Sequence, residues 1–172
     1  MLALPGGAYV YQGEELGLEE VTDLPEELLQ DPTWERSGHQ VRGRDGSRVP
    51  IPWELSGPSL GFGSAPGWLP QPQHWGPLSV AAQQGDGGST LSLYRRALQL
   101  RRELLTGESM RWLDSPGTAL AFARDEGHGE VVCLVNFGRT PLPLPNHNEV
   151  LLASDEIDHN RAIPPDTAVW LR

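Results

Sequence analysis

Three hydrophobic patterns follow one another along the chain. An apolar and aromatic run at 8–12, flanked by glycines, predicts a strand that is buried on both faces. Little is periodic between 30 and 88, whereas an apolar stripe at helical spacing predicts a helix over 89–105 with Ser89 as its N-cap. Short runs then predict an antiparallel sheet or sandwich with strands at 110–113, 118–124, 130–137, 149–153 and 167–171.

Local signals refine these elements. The helical stripe consists of Leu91, Tyr94, Ala97, Leu98, Leu104 and Leu105. Acidic residues in the first turn of 25–29 favour a short helix there, and turn residues connect the strands at 115–117, 125–127 and 164–166. The aperiodic stretch is too long for a passive connection, so we expect it to be functional or to wrap over a neighbouring element.

The strand predicted at 8–12 has no earlier segment with which to pair. A strand this apolar needs cover on both faces, and an open edge of this kind favours aggregation. We therefore expect that Met1 is not the natural start and that the chain is the tail of a larger protein.

The net charge narrows the range of partners. A formal charge of -10 argues against a nucleic-acid backbone or an anionic membrane surface, because either contact needs a basic face. No apolar run approaches the roughly 20 residues that span a bilayer, and 1–5 lacks the features of a signal peptide. We expect a cytoplasmic protein that handles a neutral ligand.

Cysteine and histidine usage predicts no metal site and no cofactor. Cys133 is the only cysteine, which excludes an internal disulfide, and its apolar surroundings predict a small buried hydrophobe. The histidines at 39, 74, 128, 147 and 159 have no helical metal-ligand spacing, so we expect them at the surface. The sequence also contains no phosphate loop, strand-linked GxGxxG or GxSxG motif.

Glu14 and Glu15 are adjacent carboxylates, as a glycosidase acid and nucleophile would be. Neighbours in a strand point to opposite faces, whereas glycosidase carboxylates face each other about 5 to 9.5 Å apart across the scissile bond. We therefore favour a structural role for this pair.

Charged and aromatic residues are concentrated in the aperiodic stretch. Composition favours a solvated surface turn for Arg42, Arg44, Asp45 and Arg48. The alternative is that Arg48 donates to sugar hydroxyls or a carboxylate beside a Trp53 platform. Four tryptophans in this stretch fit sugar stacking and a loop pinned by its own aromatics equally well: Trp34, Trp53, Trp68 and Trp75.

Four segments stand out in order along the chain: AYVYQGEELG at 8–17, GRDGSRVPIPW at 43–53, WLP at 68–70 and STLSLYRRALQLR at 89–101. Together they resemble the α-glucosidase and oligo-1,6-glucosidase branch of glycoside hydrolase family 13, the α-amylase superfamily. The resemblance implies an α/β plus all-β fold: the last βα unit of a (β/α)8 TIM barrel, followed by a small antiparallel C-terminal β-sandwich. Residues 1–105 would end the catalytic barrel, and 106–172 would form the sandwich.

The resemblance also implies a retaining α-glucosidase acting on short oligosaccharides in carbohydrate metabolism. Its Asp nucleophile, Glu acid/base and second Asp lie on earlier strands in relatives, and their motifs, including N-H-D, do not occur here. No catalytic residue is assigned, and we expect the chain alone to be inactive. Arg48 matches the arginine of the family segment R-[TV]-P-M-[PQ]-W and is implied to bind substrate, with Glu27 as a weaker candidate for its partner.

Three alternatives remain open on the sequence. The parent could be a transglycosidase of the same superfamily, of the trehalose synthase or sucrose isomerase type. The chain could instead be a stand-alone β-sandwich module that binds glucan, or a non-functional truncation product.

Overall fold

A computed structural model describes residues 1–125, 129–157 and 162–172. His128 and His159 thus lie outside the described residues, as does all but the first residue of the turn predicted at 125–127. Two compact units are present. One, here called the loop unit, consists of Val10–Ser92, and the other, here called the sheet unit, combines Met1–Tyr9 with Leu93–Arg172.

The loop unit is built from short helical turns. Two α-helices, α1 (Pro32–Arg36) and α2 (Val80–Gln83), begin at side-chain caps from Asp31 and Ser79. The remaining turns are 3-10 helices at Glu14–Leu16, Glu26–Leu28, Asp45–Arg48, Pro58–Gly61 and Gln73–Leu78. The short helix predicted at 25–29 is thus present as a 3-10 turn.

This unit has its own apolar core although its sequence is aperiodic. The buried members are Val21, Leu24, Val49, Leu69 and Trp75. They come from separate turns, so no helical or strand period relates them. The expectation that 30–88 would be functional or wrapped over a neighbouring element therefore omitted a core that this segment forms together with Val21 and Leu24.

The predicted long helix is confirmed as α3 (Thr90–Leu104). The Ser89 hydroxyl accepts the Ser92 N–H at 3.2 Å, as an N-cap does. Its predicted stripe was wrong at Leu98, which is 38% exposed, and it omitted Leu100, which is 2% exposed. Within the described part of the chain, no helix has the length and apolar character needed to cross a bilayer.

The five strands predicted between 110 and 171 are confirmed, with small shifts at the ends. The main antiparallel sheet has the order β1-β2-β3-β7-β5. These strands are β1 (Arg111–Trp112), β2 (Ala119–Asp125), β3 (Glu130–Asn136), β5 (Val150–Ala153) and β7 (Thr167–Leu171). A second pair, β4 (Leu142–Pro143) with β6 (Ala162–Ile163), was not predicted, because two residues are too short to show alternation.

The two faces of the sheet bury different clusters. One contributes Phe122, Cys133 and Trp170 to a core that also contains Ala97 and Leu100 of α3. The other carries a smaller cluster of Ile163, Val169 and Leu171. The prediction of Cys133 as a small buried hydrophobe is confirmed, since it is 4% exposed.

The strand predicted at 8–12 is not formed. This segment has no ladder partner among the described residues, and Tyr9 is 88% exposed while Tyr11 is 51% exposed. A strand requires a neighbouring strand for its N–H and C=O groups, so apolar composition alone cannot produce one. The strand geometry used to argue about Glu14 and Glu15 does not apply, because both lie in the 3-10 turn Glu14–Leu16.

Two arginines hold the first residues of the chain within the sheet unit. The guanidinium of Arg101, on α3, donates to the carbonyls of Leu2, Leu4 and Gly6. Arg124, only 1% exposed, donates to the Ala3 carbonyl at 2.8 Å. These bonds satisfy backbone groups that no strand partner satisfies, and Leu2 and Ala3 are buried in the core.

Arg101→Met is expected to destabilise the sheet unit by about 2 kcal/mol, because three carbonyls lose a charged donor while the aliphatic stem is retained. Urea unfolding followed by circular dichroism measures the change. The neighbouring, exposed Arg102→Met is the control and should unfold like the wild type. Identical midpoints for the two variants would contradict the assigned role of Arg101.

Burial raises the pKa of the Cys133 thiol to about 12. In the folded chain the thiol should therefore react with iodoacetamide at pH 8 far more slowly than it does in urea, since only the thiolate is nucleophilic. Mass spectrometry of the alkylated protein tests this expectation, and equal rates in the two conditions would contradict it.

Candidate functional site

The segment 43–48 is organised around the carboxylate of Asp45, which has no exposed surface. Its Oδ2 accepts the backbone N–H groups of Gln30 at 2.6 Å and Asp31 at 2.8 Å. Its Oδ1 accepts from Nη1 of Arg48 at 3.1 Å. A buried carboxylate is tolerated only when donors replace water, and these three do so. The interpretation of this segment as a solvated surface turn was therefore wrong for Asp45.

Asp31 supplies the second carboxylate of the cluster. Oδ1 accepts the Thr33 N–H at 2.9 Å and caps α1, while Oδ2 accepts the Arg44 N–H at 3.1 Å. Oδ2 also lies 3.1 Å from Nη1 of Arg48. The two aspartates and the arginine, here called the Asp31–Asp45–Arg48 cluster, thus connect two chain segments that sequence separates.

The cluster changes the protonation of its members. The pKa of Asp31 falls from an ordinary 3.8 to about 2, chiefly because its carboxylate accepts from Thr33, then from the Arg44 N–H, with a smaller contribution from the charge of Arg48. The pKa of Arg48 is raised, first by its hydrogen bond to Asp45. Both groups are therefore held in their charged forms.

At two positions of the segment, only glycine fits without a steric clash. Gly43 has a φ of 76°, and an added Cβ would lie 2.5 Å from Cβ of Asp31. A Cβ on Gly46 would lie 2.3 Å from the carbonyl oxygen of Val21. The N–H of Val21 also donates to the Gly46 carbonyl at 3.2 Å. Any side chain at either position would push the chain away from the cluster.

The predicted substrate residues have different surroundings. Arg48 is 43% exposed at its side chain, so part of its guanidinium faces solvent although Nη1 is occupied. Glu27 is exposed in the turn Glu26–Leu28, and it is not among the ion-pair partners of Arg48, which are Asp31 and Asp45. The substrate-binding role of each remains a prediction.

The four tryptophans of the loop unit divide into two pairs. Trp34 and Trp75 are buried, and Trp34 stacks on His39 with ring centroids 4.8 Å apart. Trp53 and Trp68 are each 47% exposed, as a stacking platform requires. The sequence could not distinguish these pairs because all four lie in aperiodic chain.

Two cavities lie on either side of the segment 70–73. One of about 380 Å³ is lined by Trp68, Leu28 and Gln71, among others. The second, of about 530 Å³, has a polar rim that includes Glu19, Gln73 and His74. Neither is lined by Arg48 or Glu27. Both volumes fall within the range of small-ligand pockets.

Other candidate groups have local partners. Glu15 accepts the Gly13 N–H at 2.9 Å, as expected for a structural carboxylate. The exposed His39 and His74 lie 3.2 Å from Glu35 and 2.9 Å from Glu19. Over the ranges that the structure describes, no three His, Cys, Asp or Glu side chains converge to hold a metal ion.

Sequence reasoning missed Asp31. The sequence Asp31-Pro32-Thr33 carries a helix-start signal, a capping Asp followed by Pro at the first helical position. That signal locates the cap, but the approach of Asp31 to Arg48 depends on a turn that no local pattern predicts.

Comparison with known families gives the class. Residues 1–107 match the family described as alpha amylase, catalytic domain, and residues 85–170 match a domain of unknown function, DUF3459. Since the first match covers more than half of the chain, the chain belongs to the α-amylase family. The resemblance inferred from the four segments is confirmed, as is the fold class with its C-terminal antiparallel sheet.

Individual relatives are consistent with this family. A probable alpha-glucosidase of Rhizobium meliloti (strain 1021) is 38% identical over 100% of this chain and 32% of its own length. An oligo-1,6-glucosidase of Parageobacillus thermoglucosidasius is 26% identical over 90% of this chain and 32% of its own length. The chain thus spans about a third of these relatives and corresponds to their C-terminal part.

Solved structures share the fold. The alpha-glucosyl transfer enzyme XgtA superposes with a TM-score of 0.78 and 32% identity, covering 99% of this chain and 34% of the other. An isomaltulose synthase from Erwinia rhapontici NX5 superposes with a TM-score of 0.80 at 22% identity, covering 99% and 36%. At that identity the second comparison supports the fold alone.

Asp31→Asn tests the charge in the cluster, because an asparagine can still cap α1. The carboxylate is held charged in the folded state down to about pH 2, whereas in the unfolded chain it protonates near 3.8. Its contribution to stability is therefore fully present above the higher value and is lost as the pH falls through the lower one. We expect Asp31→Asn to lower the melting temperature at pH 7 and to converge with the wild type towards pH 2.

Differential scanning fluorimetry across the pH range measures both curves. The exposed Asp23→Asn is the matched control and should follow the wild type throughout. A difference in melting temperature between the wild type and Asp31→Asn that stays constant at every pH would contradict the stabilising role of the Asp31 charge.

Proposed function

We propose that the chain is the C-terminal part of a retaining α-glucosidase that hydrolyses terminal α-glucosidic bonds of short oligosaccharides. The observation that carries the proposal is the Asp31–Asp45–Arg48 cluster, in which Asp31 joins two charged residues, Asp45 and Arg48, of a motif at 43–53 that resembles that of α-glucosidases. Glycoside hydrolase activity is also supported by the relatives, since the two compared above carry α-glucosidase and oligo-1,6-glucosidase names.

Arg48 is the residue that we assign to substrate. Its guanidinium is fixed on one side by two carboxylates and remains partly exposed on the other, so its free N–H groups can donate to sugar hydroxyls without first losing conformational freedom. Glu27 is assigned as the weaker substrate-binding residue. No residue of this chain is assigned as nucleophile or acid/base.

The proposal includes the domain division made from sequence. Residues 1–105 would complete a (β/α)8 barrel in the whole enzyme, with 8–12 as its eighth strand, and 106–172 would form the β-sandwich. The exposure of Tyr9 and Tyr11 fits a segment that pairs with strands outside the described chain. The whole enzyme would act in the cytoplasm, in carbohydrate metabolism, on an oligosaccharide and without a cofactor. By itself the 172-residue chain should not hydrolyse substrate.

A transglycosidase of the same superfamily is the second candidate. It is favoured by the similarity to the alpha-glucosyl transfer enzyme XgtA, which is 32% identical. The two activities differ in whether water or a sugar hydroxyl receives the glucosyl group, so product analysis distinguishes them.

A chimera tests the activity. The matching C-terminal third of the R. meliloti relative would be replaced by this chain, and glucose release from maltose and isomaltose would be measured. We expect hydrolysis, and a loss of about a hundredfold in kcat/KM for Arg48→Met, since a charged donor to substrate is removed. Arg36→Met, exposed in the same unit, should match the unmodified chimera.

Glu27→Gln is compared with Glu26→Gln from the same turn, and only the former should raise KM. Arg48→Lys keeps the positive charge beside the two aspartates but loses the planar guanidinium. A loss of kcat/KM in a folded Arg48→Lys chimera therefore cannot be caused by misfolding. A folded chimera that releases no glucose, or transfers it to a second sugar, would refute the hydrolase proposal. Full activity in a folded Arg48→Met chimera would refute the site.

A further inference from the structure

The sheet unit contains a cavity of about 660 Å³ that the proposed function does not use. Its floor is the face of the sheet opposite α3, where Ala121 pairs with Leu134 and Val132 pairs with Leu171. Val132 and Leu134 are only partly buried, so aliphatic surface remains open to a ligand.

The rim is a polar loop fixed to the end of β7. Asn146, His147 and Asn148 line one side of the cavity. The N–H groups of Asn148 and Glu149 donate to the Arg172 carbonyl at 2.6 and 2.9 Å, and the Arg172 N–H donates back to Glu149 at 2.9 Å. These bonds hold the loop, so the amide side chains need little ordering when a ligand binds.

Arg172 carries an unused donor at this cavity. Its Nε is buried and has no hydrogen-bond partner among the described residues. It lies beside Gly129, another lining residue, where an added Cβ would be 4.0 Å from Nε. A buried N–H without an acceptor is costly, and the Arg172 Nε gains one if the guanidinium turns towards an oxygen of a ligand in the cavity.

The side chains that line the cavity carry charges of both signs, which favours a ligand without net charge. Asp114 and Arg172 place opposite charges on the same cavity, and the Glu130 carboxylate is paired with Arg111. Amides, a carboxylate and a guanidinium together offer both donors and acceptors. An apolar floor with such a rim suits a ring whose faces carry C–H groups and whose edge carries hydroxyls.

We propose that this cavity binds a neutral polyhydroxylated ligand the size of a mono- or disaccharide. The ring packs on Val132 and Leu134, while a ligand hydroxyl accepts from the guanidinium of Arg172, which turns towards it, and others bond to Asn146 and Asn148. Every residue of the site lies in the sheet unit, so binding does not depend on the Asp31–Asp45–Arg48 cluster or on hydrolysis.

The test is an NMR titration of the full chain with maltose and, separately, isomaltose, which follows backbone amide shifts. We expect saturable shifts at Val132, Leu134 and Leu171 with a millimolar Kd. Arg172→Met should weaken binding about tenfold, as expected for the loss of one charged donor. Arg139→Met, an exposed arginine of the same unit that does not line the cavity, should bind like the wild type.

Asn146→Ala and Asn148→Ala provide a second measurement, because both side chains are exposed and their loss should not unfold the chain. Each should weaken binding while the spectrum stays dispersed. The proposal is overturned by absence of saturable shifts with both sugars, by unchanged affinity in all three cavity variants, or by inorganic phosphate producing the shifts that the sugars do not. None of these outcomes bears on glucose release by the chimera.

Discussion

The carboxylate of Asp45 is removed from water and depends on three donors: two backbone N–H groups and one guanidinium. Replacing those donors would leave a buried charge, which costs several kcal/mol. The chain therefore has to bring residues 30–31 and 48 to the same place whenever the loop unit folds. The aperiodic segment has little regular secondary structure. The need to satisfy the Asp45 carboxylate fixes its conformation instead.

The same cluster connects structure to chemistry. Arg48 is restrained by contacts on one side of its guanidinium, which is how a flexible side chain is prepared for a ligand. The glycines of the motif follow from the close approach of the backbone to Asp31 and Val21 rather than from a need for flexibility. Several residues of the motif that indicates the family are thus explained by how they pack around one buried carboxylate.

The sheet unit uses arginine in another way. Arg101, the last residue of the helical motif, and Arg124, on β2, donate to carbonyls of residues near the start of the chain. A guanidinium can reach several acceptors at once, so it can hold backbone that has no strand partner. The arginine of the helical motif therefore has a structural reason within this unit.

Sequence alone predicted the periodic elements well. Ser89 and the apolar stripe located α3, and the apolar run at 130–137 located β3, because in each case the signal is local. Leu98 was wrongly placed in the buried stripe and Leu100 was left out of it, since which of two nearby leucines is buried depends on what packs against the helix. The run at 8–12 shows the opposite limit: its composition fits a strand, but pairing requires residues from elsewhere. Asp31 was missed because its partner lies in another turn.

Amide hydrogen exchange at Gln30 and Asp31 tests the central claim most directly, because their N–H groups donate to the buried carboxylate of Asp45. If that carboxylate organises the loop unit, both amides should exchange at least about a hundredfold more slowly than an exposed amide such as that of Thr22. Exchange of Gln30 and Asp31 as fast as that of Thr22 would contradict the account.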